Sequence, residues 1–400
     1  MLSDPFVLCF FGKSIVPHLG PFSSTRHMPR IRICTFNVYN GPLSCAFAPS
    51  LAYDPTRRLQ RQIDALRALR ADVVCLQEVH DDEVVRALER EVGDVYEVCY
   101  ELDTANTRHS APRYIGKAVW HVLAICCILI TCMLVWSVDE MMHAIHVSGR
   151  IRRLSWCLVL AGVYAVFTRI VRRLSESVNF IFTFGRVQTG GLVTLCRRET
   201  ICCHSLAAVE FTCQSGDPLN LLRRRGFTYV DVECRRSTSA SRGVRLRVYN
   251  AHPNALPFAE GYDDTPIRSV HRKAQLHQLF AHADTSARST RDRAVIVCGD
   301  LNTLREYDEL PFASSLERNV RIVDTSVACD SVGLHNTWQP LTNVLIRTDP
   351  TSLRVTREAQ LDYVMHVRTT DPILHCVDCS LVLTDEGLSD HYGLLATFRT

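Results

Sequence analysis

The sequence predicts an α/β fold interrupted by a helical hydrophobic insert. Two observations carry this. Short β-rich runs interleave with amphipathic helical runs along most of the chain. Residues 118–138, in contrast, contain no Asp, Glu, Lys or Arg. The 400 residues suffice for one large domain or two ordinary ones. A core of that size needs no disulfide or metal to fold.

Taken in order, residues 1–27 read as an extension outside the fold. Their apolar run FVLCFF (6–11) is short, follows Asp4 and has no basic flank, unlike a signal peptide. IRICTFNV (31–38) alternates and reads as a strand. In 57–70, Leu59, Ile63, Leu66 and Leu69 share one helical face. ADVVCLQEV (71–79) is a near-continuous apolar run, expected for a strand buried on both faces. Further strands are expected at 190–196, 244–250, 294–299, 361–367 and 393–398, and a helix at 271–283.

The insert comprises residues 106–184, so 28–105 and 185–400 form one discontinuous domain. Its first apolar helix, 118–138, is long enough to cross a bilayer and carries Trp120 and Trp136 near its ends. The second, 154–171, is shorter and flanked by arginines. It reads either as a second span or as an amphipathic helix lying on the membrane surface. A single span would separate the two halves of the domain, so an even number of crossings is expected, a hairpin or none, and the two-span hairpin is the favoured reading. Basic residues outside the hairpin outnumber those in its loop, which points to a cytosolic location for the discontinuous domain.

The formal charge is only +3, from 45 basic and 42 acidic residues. That balance gives no support to a dedicated nucleic-acid binder. The cysteines at 34, 75, 196 and 298 sit inside apolar runs as small hydrophobes, which points to a reducing compartment. The CxxC pair Cys376 and Cys379 reads as thiols on a strand or turn ahead of a structural zinc site.

Five segments put polar residues at the end of an apolar strand: Asn37, Glu78, His252, the pair Asp300 and Asn302, and the pair Asp390 and His391. Singly, each is a capping loop residue. Together they suit phosphodiester cleavage, which needs an activated water, a cation and donors to the phosphate. Glu78 is a hard oxygen ligand for Mg²⁺. Asn37 and Asn302 can ligate or donate. Adjacent strand residues face opposite ways, so His391 is expected to pair with a distant carboxylate such as Asp300 while Asp390 faces the metal.

The motifs TFNV (35–38), LQEV (76–79), GDLN (299–302), LDYV (361–364) and SDHYG (389–393) resemble, in order, those of the endonuclease/exonuclease/phosphatase superfamily. GGLVTLCR (190–197) resembles its glycine-bearing strand, with Gly191 where asparagine or alanine is common. The resemblance implies a four-layer α/β/β/α sandwich of two mostly antiparallel sheets. It implies Mg²⁺, with Mn²⁺ as an alternative, held by Glu78, Asn37 and Asp390. It further implies that His252 donates to the scissile phosphate and that Asp300 and Asn302 orient the nucleophile. His391 would be the base, and Asp362 the acidic residue of the LDY strand.

Within the superfamily the chain is most similar to neutral sphingomyelinases. AHPNA (251–255), followed by Arg268, Arg272 and Gln275, resembles their TH-x-x-A segment and the helix after it. That implies a membrane sphingophospholipid as substrate, ceramide and a phospho-headgroup as products, and no stable nucleic-acid partner. Alternatives are an abasic-site or deadenylase-type nuclease, and a catalytically inactive membrane scaffold. The LDYVM segment disfavours an inositol-polyphosphate 5-phosphatase.

Overall fold

The computed structural model describes residues 30–39, 55–80, 82–101, 191–213, 225–235, 243–254, 266–289, 292–304, 321–325, 336–339, 343, 358–368, 374–385 and 387–400. The extension 1–27 and the insert 106–184, with both expected spans, lie outside them. Among the described residues, no helix is long and apolar enough to cross a membrane.

The first sheet contains β1 (Arg30–Asn37), β2 (Val73–Gln77), β3 (Tyr96–Cys99), β4 (Val193–Arg197), β11 (His375–Val382) and β12 (Gly393–Arg399), in the order β11-β12-β1-β2-β4-β3. The second contains β5 (Ile201–Glu210), β6 (Gly226–Cys234), β7 (Arg245–Ala251), β8 (Arg293–Asp300), β9 (Arg321–Asp324) and β10 (Asp362–Arg368), in the order β5-β6-β7-β8-β10-β9. Helices α1 (Pro55–Leu69) and α2 (Asp82–Val92) cover the first sheet, and α3 (Pro266–Ser289) covers the second.

Period-two alternation builds the layers. In β1, Ile31 and Ile33 face the inter-sheet core, while Cys34 and Phe36 face α1 and α2. In β8, Ala294, Ile296 and Cys298 point between the sheets, while Val295 and Val297 point at α3. These strands are buried on both faces, which explains their near-continuous apolar runs. Helix α1 buries Ile63 and Leu66, with Leu59 and Leu69 packed beside them, as its periodicity predicts. Helix α3 extends well beyond 271–283 and buries Leu276, Leu279, Phe280 and Ala283.

Both sheets repeat one motif. Each has one parallel pair, β1 with β2 and β7 with β8, and is otherwise antiparallel. A helix follows the first strand of each pair, α1 and α3 respectively. The carboxyl ends of both pairs therefore open at the same rim, where sites collect in parallel units. The antiparallel neighbours begin there: Thr35 of β1 opposes Leu394 of β12, and Asp300 of β8 opposes Asp362 of β10.

The elements α2, β3, β5, β6, β9 and β11 were not expected from sequence. Strands β3, β5, β9 and β11 are sheet edges and lack a clean apolar pattern, β5 and β11 having mixed burial. Strand β6 does alternate, burying Val230, Val232 and Cys234 on one face. No disulfide forms among the described cysteines, and Cys376 and Cys379 lie on β11.

Candidate active site

Asn37 ends β1, Glu78 follows β2, His252 follows β7, Asp300 ends β8, Asp362 begins β10, and His391 lies two residues before the start of β12. Backbone geometry is unusual at this rim. Glu78 and Asn302 adopt positive φ angles of 61° and 52°. Asparagine tolerates that region, whereas glutamate is strained there, a cost that persists where surroundings impose it. The surroundings are visible: Val79 N–H donates to Gly191 O at 2.9 Å. A Cβ on Gly191, itself at φ 80°, would stand 2.9 Å from the Val79 backbone, so glycine is required where the superfamily pattern has a larger residue.

Oδ2 of Asp300 is the hub. It accepts from Asn37 Nδ2 at 2.9 Å. His252 Nε2 lies 3.6 Å away and His391 Nε2 3.7 Å away. His252 Nε2 is also 3.8 Å from Glu78 Oε1. The other Asp300 oxygen accepts from the Asn302 backbone N–H at 3.0 Å, which folds that residue into the site. The side chain of Asn302 donates to Pro253 O at 3.4 Å, tying it to the His252 loop.

The partner of His391 departs from expectation. Its Nδ1 lies 2.7 Å from Asp362 Oδ2, so Asp362 orients the ring and Asp300 faces the opposite nitrogen. Sequence order concealed this. Asp362 is brought beneath His391 by the pairing of β10 with β8 and by the Trp338 bridge to His391. Oδ1 of Asp390 lies 3.2 Å from Ser389 Oγ.

Two supporting residues escaped the sequence reading. Ser389 donates to Asn37 O at 2.5 Å and accepts from His391 N–H at 3.2 Å, linking β1 to the last motif. Its place inside SDHYG was the only available signal. Thr337 Oγ1 accepts from Leu361 N–H and Asp362 N–H, both at 3.1 Å, and no motif marks it.

Electrostatics follow from crowding of acids in a dry site. Burial pushes Asp300 up to about 7, His391 opposes this, and Asp362 and Glu78 add to it. Asp390, still partly exposed, rises to about 6 through desolvation, opposed by His391 and reinforced by Glu78. Burial disfavours the imidazolium of His391, but Asp362, Asp300 and Asp390 together override it and hold its pKa well above the usual histidine value.

The donor set fits a hard divalent ion. Glu78, Asn37 and Asp390, the residues the resemblance assigns to the ion, carry hard side-chain oxygens, and a surplus of carboxylates favours a cation. Asp300, Asp362 and His391 also bring one ligand-type atom each within 4.8 Å of one another. There the 2.7 Å contact is a hydrogen bond, so this trio reads as a proton-handling dyad with its neighbour.

The model of the Endonuclease/Exonuclease/phosphatase family matches residues 34–391. No curated protein sequence matches the chain. Among solved structures, D. rerio TDP2 complexed with single strand DNA product superposes with TM-score 0.51 at 14% identity, over 93% of this chain and 99% of that one. An endonuclease/exonuclease/phosphatase from Bacteroides vulgatus gives 0.52 at 12%, over 93% and 99%. SmcL gives 0.50 at 15%, over 93% and 99%. At such identities the likeness concerns the fold.

Proposed function

The chain belongs to the endonuclease/exonuclease/phosphatase family of metal-dependent phosphodiesterases, and from that premise we propose that it hydrolyses a membrane sphingophospholipid with Mg²⁺. The products would be a ceramide and a phospho-headgroup. The observation that carries the chemistry is the convergence of Asn37, His252 and His391 on one oxygen of Asp300, with Glu78 beside His252. The choice of lipid rests on AHPNA (251–255) with the helix after it, and on the uncharged run 118–138. We propose that this run and 154–171 form a hairpin holding a cytosolic catalytic domain at the bilayer.

Glu78, Asn37 and Asp390 would hold the ion. When bound, Mg²⁺ supplies positive charge to the phosphate oxygens and lowers the pKa of water. The residues of the chain do the rest. Asp300 accepts the proton of the attacking water as its oxygen bonds phosphorus, the P–O bond to the lipid breaks, and the departing ceramide oxygen takes up a proton from solvent to leave as the alcohol. Burial holds the Asp300 carboxyl near neutrality, which suits that task. His391 and His252 donate to phosphate oxygens, and Asp362 keeps the His391 ring in register. Gln275 accepts from Asn254 N–H at 2.9 Å and so fixes the loop that presents His252.

The test is a substrate panel on detergent-solubilised protein. Sphingomyelin or another phosphosphingolipid should be cleaved in Mg²⁺, and Glu78→Ala or His391→Ala should abolish turnover. Cleavage of abasic or single-stranded DNA without lipid turnover would establish the nuclease reading, which the DNA product bound to D. rerio TDP2 favours. No turnover on any phosphodiester would favour a scaffold. Protease protection of residues 139–153 in sealed vesicles tests the hairpin. Cleavage of that loop from the same side as the catalytic domain would exclude it.

A further inference from the structure

The inter-sheet core contains a second cluster of ligand-type atoms, far from the catalytic rim. Cys99 ends β3, Cys196 lies in β4, and Cys203 lies in β5 of the other sheet. In the β3–β4 register Cys99 opposes Thr194 and Glu97 opposes Cys196. Cys99 and Cys196 are thus diagonal neighbours on one face. The short turn 198–200 carries the chain from β4 across to β5, and a register shift immediately after Cys203 bends that strand. The three sulfurs therefore converge from three strands and both sheets.

Their spacing is informative. Cys99 Sγ and Cys203 Sγ are 3.6 Å apart, and all three sulfurs lie within 4.8 Å of one another. A disulfide requires about 2.05 Å. A Zn–S bond of about 2.3 Å places the corners of a tetrahedron ~3.8 Å apart, close to the spacing seen. Cys75 and Cys298 are also buried in this core, but they belong to no such trio among the described residues. Cys99 and Cys196 are buried, whereas Cys203 keeps partial contact with solvent.

We infer that Cys99, Cys196 and Cys203 form a structural site for a thiophilic divalent ion, zinc, with the fourth position taken by water or another ligand on the Cys203 side. Three thiolates select a soft metal and reject Mg²⁺, so this site and the carboxylate rim take different ions. Cys196 opposes Val73, at the start of β2, the end of that strand remote from Glu78. The ion therefore clamps that edge of the sandwich, where β3 and β5 each lack an outer neighbour among the described residues.

The experiment uses the full chain, freed of metal under reducing conditions and titrated with Co²⁺ and then Zn²⁺. The expected result is one equivalent of Co²⁺ giving thiolate-to-metal charge-transfer absorption, displaced by Zn²⁺ but not by excess Mg²⁺. Cys203→Ser should lose that band and weaken zinc binding by at least about 100-fold, whereas Glu78→Gln should retain both. Should Cys203→Ser fail to fold, alkylation of the wild-type protein decides. Zinc should protect Cys203 from iodoacetamide, and equal labelling with and without zinc would overturn the site. A Cys99–Cys203 disulfide that persists in the presence of zinc would overturn it as well.

Discussion

Nδ1 of His391 lies 2.7 Å from Oδ2 of Asp362, which leaves Nε2 as the nitrogen turned toward Asp300 at 3.7 Å. The carboxylate thus fixes the direction of the ring. Asp362→Asn should keep the fold, because asparagine preserves the shape, but should release the ring from its charged partner. We expect kcat to fall by roughly 100- to 10,000-fold with KM changed much less. Steady-state kinetics on a soluble phosphodiester checks this. A loss confined to KM would assign Asp362 to substrate binding instead.

Asp300 should govern the acid limb of the rate profile. With its pKa raised to about 7, it is protonated and unable to accept a proton at lower pH, so activity should rise through that region. Saturating Mg²⁺ favours the carboxylate and should move the limb downward. Asp300→Asn should abolish both the limb and most of the activity. An unchanged limb in that variant would assign it to another group.

The same acids make stability depend on pH. Asp300 at about 7 and Asp390 at about 6 both exceed the ordinary value of 3.8. Over roughly pH 4 to 7 the metal-free folded chain binds more protons than the unfolded one, so its stability declines as pH rises. His391, also raised, extends the decline above its ordinary 6.5. Mg²⁺ should therefore raise Tm more at about pH 8 than at about pH 5. A Tm shift independent of pH would contradict the burial of these acids.

Beneath the site, a polar bridge joins the sheets. Gln77 Nε2 donates to Asn250 Oδ1 at 2.8 Å, while Asn250 Nδ2 donates to Leu76 O at 3.0 Å and Val193 O at 3.1 Å. Asn250→Ala strands buried partners and should cost about 2–4 kcal/mol. Urea denaturation measures this, and a change below about 0.5 kcal/mol would mean that water replaces the amide.

Gly299 sits at φ 147°, and a Cβ there would stand 2.0 Å from Ala251 O. Backbone cannot yield as a flexible side chain does. Gly299→Ala should push β8 from β7, displace Asp300 from His252, and cost at least about 2 kcal/mol together with activity. Thermal melts and single-turnover rates check it; a native Tm would show that the parallel pair tolerates separation.

Much of the central fold was readable because its strands are buried on both faces. Runs such as 71–79 and 294–299 are apolar enough to betray themselves. The edge strands β5 and β11 were not, since half-exposed edges mix polar and apolar residues. The side chains of the site were readable as types, from five short motifs, but not as partners. Sequence suggested Asp300 for His391, and geometry gives Asp362. Thr337 and Ser389 act through backbone groups, which leave no pattern of their own.

What the sequence determined by itself was the inventory: buried strands, an amphipathic helix, and the acids, amides and imidazoles that handle phosphate. Local periodicity and residue chemistry need no knowledge of distant neighbours. Tertiary structure decided who meets whom, and with what charge. Residues 37, 78, 252, 300, 362 and 391 meet because two parallel strand pairs end at one rim while β10 and β12 start there. The proton affinities of Asp300 and His391 then follow from burial and from neighbours separated along the chain by tens to hundreds of residues.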